Sequence, residues 1–375
     1  MQYRRMPIEK ESPEELGYSN ILYNLAESSV RDLEWKDLDI KFDELVLCYG
    51  EHRGGSELRK KIVEGQTQLK YSDVLVTPSA AAALFMIHSA LLEKESHLVV
   101  VRPNYATNLE IPYAIGCAIS FVDIVFEQGY DLCIEELKKA VMPSTKLMSI
   151  TTPHNPTGKK IPINDIYELA NFCAARGIYL LVDETYIELQ WDGTPPPPYA
   201  ANINKYVISV SSLSKAYGVP GIRTGWIICK DEMLMEILLA AKEQILICNS
   251  VLDEAVALHV LSQEQKILKN TMQNLPEKFE ILKNWVKSNA ILEWVEPQGG
   301  VVAFPRITLD TKIDLQIFYR KLFTEYSTVV GPGHWFGLSD HYMRIGFGYP
   351  HPEELVKGLD NISICMEKSL LFHTL

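Results

Sequence analysis

Lysine, aspartate, asparagine, tyrosine and arginine stand at the ends of apolar runs in an order that suits one kind of chemistry. Lys146–Thr151 is followed by Asn155-Pro156-Thr157-Gly158, Tyr179–Val182 by Asp183-Glu184-Thr185-Tyr186, and Tyr206–Val210 by Ser211-Ser212-Leu213-Ser214-Lys215, with Arg223 shortly beyond. Each motif alone is ordinary. Asn-Pro-Thr-Gly is a good turn, an aspartate at a strand end caps helices, and a lysine in a loop is solvated. Together they meet a single demand. A carbonyl cofactor that acts on amines needs a lysine for a Schiff base, a carboxylate opposite a pyridinium nitrogen, donors to a phenolic oxygen, and a phosphate site. Lys215 would be the covalent anchor and proton shuttle, and Asp183 would keep the ring nitrogen protonated. Asn155 and Tyr186 would donate to the phenolate oxygen and hold the imine pKa low. Ser212 and Arg223 would grip the phosphate, helped by a helix N-terminus at Ser79-Ala80-Ala81.

These residues need a scaffold that places several strand ends side by side. Short apolar runs rich in β-branched residues occur at Val74–Thr77, His97–Val101, Ser120–Val122, Lys146–Thr151, Tyr179–Val182, Tyr206–Val210 and Thr224–Ile228. Continuously apolar strands imply a sheet covered on both faces. Helical patterns lie between them at Ala80–Glu93, Ile134–Ala140 and Asn164–Arg176, the last ending at Gly177. The chain from Asp231 to about Asn284 is nearly all helical, and strands return after Pro297. In doubly wound sheets ligands sit beyond the carboxyl ends of the strands, where the chemical residues fall.

Composition narrows the class. The chain has 375 residues, 36 Lys+Arg, 48 Asp+Glu and a net charge of −12, with 47% hydrophobic and 22% charged residues. A large buried core is attainable, disorder over most of the length is excluded, and a polyanion groove is unexpected because phosphate backbones need a basic face. The seven cysteines are scattered, without a Cys-x-x-Cys pair or zinc-ligand spacing, which suits a reducing compartment. No apolar segment follows Arg4-Arg5, so a cytoplasmic location is expected. Val74–Leu92 carries no formal charge, but Pro78-Ser79 divides it into a short strand and a helix too short to span a bilayer. Pro195–Pro198 reads as a stiff surface loop.

With those residues in place, the sequence resembles the fold-type I pyridoxal-phosphate enzymes, in particular the class I/II aminotransferases. The match runs in order from Tyr49 to Arg344. The resemblance implies an α/β fold: a large three-layer domain with a mostly parallel sheet over residues 44–275, and a smaller α+β domain built from 1–43 and 276–375. It implies pyridoxal 5'-phosphate bound through Lys215, with Asp183, Asn155, Tyr186, Ser212 and Arg223 in the roles given above. It adds Tyr49 as a tyrosine reaching the phosphate of a neighbouring subunit, hence a homodimer with shared active sites. It adds Tyr105 stacked on the cofactor ring, the amides of Ala80 and Ala81 at the phosphate, and Arg344, with Asn155, at the substrate α-carboxylate. The Ser79-Ala80-Ala81-Ala82 loop lacks the glycine and hydroxyl usual in that family. Fewer side chains would then donate to the phosphate.

The implied function is transfer of an amino group between an L-amino acid and a 2-oxo acid, with no nucleic-acid or membrane partner. A lyase or cyclase on the same scaffold is the first alternative, because the fate of the carbanion is not fixed by motifs. A non-catalytic binding protein is the second, from a different class. No second arginine matches a dicarboxylate-selective position, although Arg53 is a candidate, and Glu27 in Asn24–Ser29 could face a basic or hydroxylated side chain. Gly331-Pro332-Gly333-His334-Trp335-Phe336-Gly337 superficially suggests a dinucleotide turn. Its spacing and embedded proline are wrong for one, and it reads instead as a strand and turn at the active-site mouth.

Overall fold

A computed structural model describes residues 1–370 of the chain. Seven strands form the central sheet: β1 (Val74–Thr77), β2 (His97–Arg102), β3 (Ala118–Asp123), β4 (Thr145–Thr151), β5 (Tyr179–Asp183), β6 (Val207–Ser212) and β7 (Gly225–Cys229). Their order is β1-β7-β6-β5-β4-β2-β3. β7 runs antiparallel to both of its neighbours, and every other pair is parallel. The fold is therefore α/β with a large mixed sheet, and the predicted strands differ from the observed ones only at their ends.

The uninterrupted apolar runs are explained by two covered faces. In β2, Val99 and Val101 pack with Met148, Ile150, Leu180 and the apolar stripe of helix Ile163–Ala174. Leu98 and Val100 point the other way, toward helix α1 (Ala80–Leu91) and helix α2 (Glu232–Ile245). Alternation by one residue sends neighbours to opposite faces, and burying each aliphatic side chain stabilises by about 2 kcal/mol. The helix predicted to reach Arg176 ends at Ala174, and Gly177 takes a left-handed φ of 65° beyond it.

The chain reverses its direction of travel across the sheet between β2 and β4. After β2 it steps outward to β3, and after β4 it moves through β5 and β6 toward the opposite edge. A crevice opens at such a point beyond the carboxyl ends of the strands. The ends facing it are Arg102, Thr151, Asp183 and Ser212.

The two ends of the chain meet over that crevice. Tyr23–Asn24 pairs in parallel with Thr328–Val329, and Leu25 packs among Phe279, Leu282, Phe318, Ile345 and Leu359. A three-stranded antiparallel sheet completes this region: β8 (Val302–Ala303), β9 (Gly331–Pro332) and β10 (Met343–Gly346), with β10 central. Gly346 has a packing reason to be glycine: a Cβ there would lie 1.6 Å from the Glu27 carbonyl oxygen. Its absence lets residues 25–27 lie directly against β10, with the Gly346 N–H donating to the Leu25 carbonyl at 2.8 Å.

Candidate active site

A cavity of about 550 Å³ lies at the crevice, and Ala80, Ala81, Tyr105, Asn155, Asp183, Tyr186, Ser212, Lys215, Arg223 and Arg344 all line it. Tyr49 does not; it is 81% exposed on the outer surface. Arg53 lies outside the cavity too, paired with Glu236 and donating to the Ser72 carbonyl at 3.0 Å. The run Pro195–Pro198 is exposed.

Asp183 ends β5 on the cavity floor, where Thr185 donates to its Oδ1 from the backbone N–H (3.1 Å) and the hydroxyl (2.6 Å). Burial pushes this carboxyl above the ordinary range, against the pull of the Thr185 bonds and the charge of Lys215. A buried carboxylate with no ion-pair partner among the described residues favours a cationic group brought in by a ligand, as a protonated ring nitrogen would be. Tyr186 is buried, and its hydroxyl has no hydrogen-bond partner among the described residues. Such an orphaned donor is costly unless a ligand atom receives it.

Lys215 follows the β6 end, and its Nζ donates to Ser28 Oγ at 3.0 Å. The backbone holds the same junction closed, since the Val30 N–H donates to the Lys215 carbonyl at 2.9 Å.

The phosphate side is built from a helix end and a glycine. Ser79 caps α1, its Oγ accepting from the Ala82 N–H at 3.0 Å. The Ala80 and Ala81 N–H groups precede the first intrahelical bond and line the cavity, a ready anion site. A Cβ on Gly225 would lie 2.6 Å from Ala80 N, so glycine is what lets β7 approach this cradle. Arg223 lines the same end in a left-handed conformation, φ 44°, with its Nη1 donating to the Pro220 carbonyl at 2.8 Å.

On the opposite wall, Arg344 of β10 is buried. Its Nη1 donates to Asn155 Oδ1 at 3.1 Å and its Nη2 to the Ala26 carbonyl at 2.7 Å, while Nε has no partner among the described residues. Burial lowers its pKa, against the opposing pull of Tyr186, Glu27 and Tyr105. The segment that supplies Ala26 is folded by Asn24, whose Oδ1 accepts from the Ala26 and Glu27 N–H groups at 3.1 and 3.2 Å. The Gly331–Gly337 stretch supplies β9 and the turn beyond it, and its Trp335 lines the cavity. The Trp335 and Phe336 rings lie 5.9 and 5.2 Å from the Arg344 guanidinium carbon.

Tyr105 begins the helix after β2. The Asn104 side chain accepts from the Tyr105 N–H at 2.7 Å and donates to the Val101 carbonyl at 3.0 Å. His154, buried and held near pKa 4 by desolvation, bonds the Pro103 carbonyl at 3.0 Å and Thr157 Oγ1 at 2.9 Å. It is neutral at physiological pH, and it ties the turn after β2 to the turn carrying Asn155.

Sequence reasoning missed Ser28, Thr185 and His154. Thr185 at Asp183+2 carries a local signal, since Asp-x-Thr favours a side-chain turn. Ser28 does not, because its partner is Lys215.

The residues present fit a pyridine ring carrying a phosphate: a buried carboxylate, an orphaned hydroxyl, an amine, and a glycine-backed helix N-terminus in one cavity. The chain is similar to known proteins that carry such a group. Residues 36–362 match the family model described as aminotransferase class I and II. Capreomycidine synthase of Streptomyces vinaceus is 27% identical over 323 residues, covering 86% of this chain and 82% of the relative. A probable aspartate/prephenate aminotransferase of Aquifex aeolicus is 25% identical, covering 85% and 84%. The crystal structure of a PLP-dependent aminotransferase from Streptococcus suis superposes with a TM-score of 0.90 at 26% identity, covering 100% of both chains. The chain belongs to the class I and II aminotransferase family. It is an enzyme whose cofactor is pyridoxal phosphate, acting on amino acids and 2-oxo acids. No helix among the described residues is long and apolar enough to cross a membrane.

Proposed function

We propose that this cavity catalyses transfer of an amino group from an L-amino acid to a 2-oxo acid, with Lys215 as covalent anchor and proton carrier. When bound, the cofactor supplies an electron sink for the bond broken at the substrate Cα. Asp183 holds a proton on the ring nitrogen and keeps that sink effective. Tyr186 Oη and Asn155 would hold the cofactor's phenolic oxygen, which would give the orphaned Tyr186 proton an acceptor. Lys215 Nζ would anchor the cofactor, and as a free amine it would take up and return the proton at the substrate Cα. The Ala80 and Ala81 amides, Ser212 and Arg223 would hold the phosphate, and Tyr105 would pack against the ring. Arg344, with Asn155 bonded to it, orients the substrate carboxylate and so aims the Cα–H bond at Lys215.

The observation that carries this reading is that Tyr186, with its orphaned hydroxyl, Arg344, with an unpartnered Nε, and Lys215 line one cavity. An absorbance band in the visible should disappear on borohydride treatment, and Lys215→Ala should lack it. Adding an amino acid should convert the bound cofactor to its amino form, and a 2-oxo acid should restore it. Wild-type turnover by Lys215→Ala would overturn the assignment.

A lyase or cyclase reading is kept because capreomycidine synthase is among the similar relatives. That activity would regenerate the aldehyde form of the cofactor without any 2-oxo acid, so the same half-reaction separates the two.

The working unit we infer is a cytoplasmic homodimer, with residues 1–43 and 276–375 forming a smaller lobe on 44–275. Val46, Leu47 and Tyr49 are exposed, as are Met233, Ile237 and Ile245 of α2. Contacts of His52 with Glu243 and Lys242 hold these segments together. An apolar strip of this kind marks a protein interface, and it would present Tyr49 to a second subunit. Sedimentation equilibrium tests the dimer.

A further inference from the structure

The substrate end of the cavity carries more negative charge than the reaction requires. Glu9, Glu14, Glu27 and Asp32 all line it, on segments that precede the large sheet in sequence. None of them forms a salt bridge among the described residues. The cations whose charge reaches Glu9 and Asp32 are already committed: Arg5 pairs with Glu15 at 3.2 Å, Arg31 pairs with Glu354 at 2.8 Å, and Lys215 is the covalent anchor; Asp32 is further bonded to Tyr349. Glu27 is the innermost, half-buried, with only a long 3.4 Å contact from the Tyr18 hydroxyl. The charge of Glu27 also acts on Arg344, which places the two in the same end of the cavity.

Arg344 is the second, independent sign of a ligand there. It is 4% exposed, lines the same cavity, and keeps Nε without a partner. A buried guanidinium so placed needs an anion, and the half-buried, unpaired Glu27 carboxylate favours a cation, while the exposed Glu9, Glu14 and Asp32 add negative field around it. A single molecule with a carboxylate at one end and a cation at the other satisfies both. With the cofactor phosphate assigned to Arg223 and the α-carboxylate to Arg344, no arginine lining the cavity remains for the four acids.

We propose that Glu27, ringed by Glu9, Glu14 and Asp32, receives the guanidinium or ammonium side chain of a basic L-amino acid whose α-carboxylate is held by Arg344. This rests on the aminotransferase reading above and names its substrate class. The acids at the mouth raise the local concentration of cations, and Glu27 discriminates by direct pairing. A neutral isostere would leave Glu27 half-desolvated and unpaired, and an acidic side chain would meet four like charges.

The test has two arms. In the half-reaction, kcat/KM for L-arginine should exceed that for L-citrulline, its uncharged isostere, by about tenfold or more. That ratio should fall about tenfold in Glu27→Gln and further in Glu27→Gln/Asp32→Asn. In the second arm, calorimetry on the holoenzyme measures 4-guanidinobutyrate, which has both charges but no α-amine to react, against hexanoate. The guanidino acid should bind about tenfold tighter, and Glu27→Gln should abolish the difference. A wild-type preference for citrulline or an acidic amino acid, or an unchanged ratio in the variants, would overturn the proposal. Absence of a borohydride-sensitive visible band would instead sink the aminotransferase reading, so the two failures are distinguishable.

Discussion

Lys215 and Ser28 are 187 residues apart in sequence, and Nζ of the first donates to Oγ of the second at 3.0 Å. The contact joins the N-terminal segment to the lysine at the end of β6, and it gives the amine a fixed resting place on the substrate side of the cavity. Ser28→Ala should therefore leave the lysine present but less well aimed. One hydrogen bond to a charged group is worth about 1.5–3 kcal/mol. The single-turnover rate of Cα proton removal, identified as that step by a primary deuterium isotope effect, should fall about tenfold or more while the borohydride-sensitive band stays. An unchanged rate would show that Ser28 is only structural.

Gly225 sits where β7 passes the N-terminus of α1. A Cβ would lie 2.6 Å from both Ala80 N and Ser79 C and 3.0 Å from the Ser211 carbonyl oxygen, all backbone atoms that cannot swing aside. Overpacking of this kind costs about 1–3 kcal/mol, and here the cost falls on the phosphate cradle. Gly225→Ala should bind pyridoxal phosphate about tenfold more weakly in equilibrium dialysis and melt earlier. Normal affinity with a lowered melting temperature would place the strain outside the cradle.

The chemistry was more legible in the sequence than the geometry. Asp183, Lys215 and Asn155 could be found because each follows a continuously apolar strand, and strand ends are local patterns. Parallel pairing then puts those ends in one row without further information. Arg344 was legible only by resemblance, since nothing near Met343-Arg344-Ile345-Gly346 reveals that Asn155 and Ala26 will hold it. Ser28 and His154 were not legible at all. Their roles arise from long-range closure, in one case of the N-terminal segment over the cavity and in the other of one turn against another. Gly346 shows the same limit, as it reads as an ordinary strand end until Glu27 is packed against it.

Glu184 and Glu188 lie under the turn that carries Tyr186, and burial lifts both carboxyls from 4.5 to about 8. Glu188 Oε1 accepts from the Tyr199 hydroxyl at 3.2 Å, and Oε2 has no partner. Both are therefore protonated in the folded protein at neutral pH. A group whose folded pKa is raised binds its proton more tightly in the native state, so its stabilising contribution is full below pH 4.5. It is then lost as pH rises toward about 8. Glu188→Gln removes one such titration. Over that window the variant should gain on the wild type by roughly 1 kcal/mol per pH unit in denaturant unfolding. Parallel stability curves would mean that Glu188 is ionised in the fold.

Arg344 is held at two of its nitrogens and has no partner for the third among the described residues. Nη1 and Nη2 are spent on Asn155 Oδ1 and the Ala26 carbonyl, which fix the plane of the guanidinium and leave Nε without a partner. The Trp335 and Phe336 rings, 5.9 and 5.2 Å away, bound its other side. A lysine at this position keeps the charge but cannot reproduce the fork that bonds Asn155, Ala26 and a carboxylate at once. Arg344→Lys should thus raise KM for amino acids by about 10–100-fold, with a smaller fall in kcat. Arg344→Ala should do worse, because it also strands two buried acceptors. The control is a primary amine with no carboxylate: its slow reaction with the bound cofactor should be nearly the same in wild type and Arg344→Lys. If the amine and the amino acid lose reactivity in equal measure, Arg344 supports the fold of the cavity and does not bind the carboxylate.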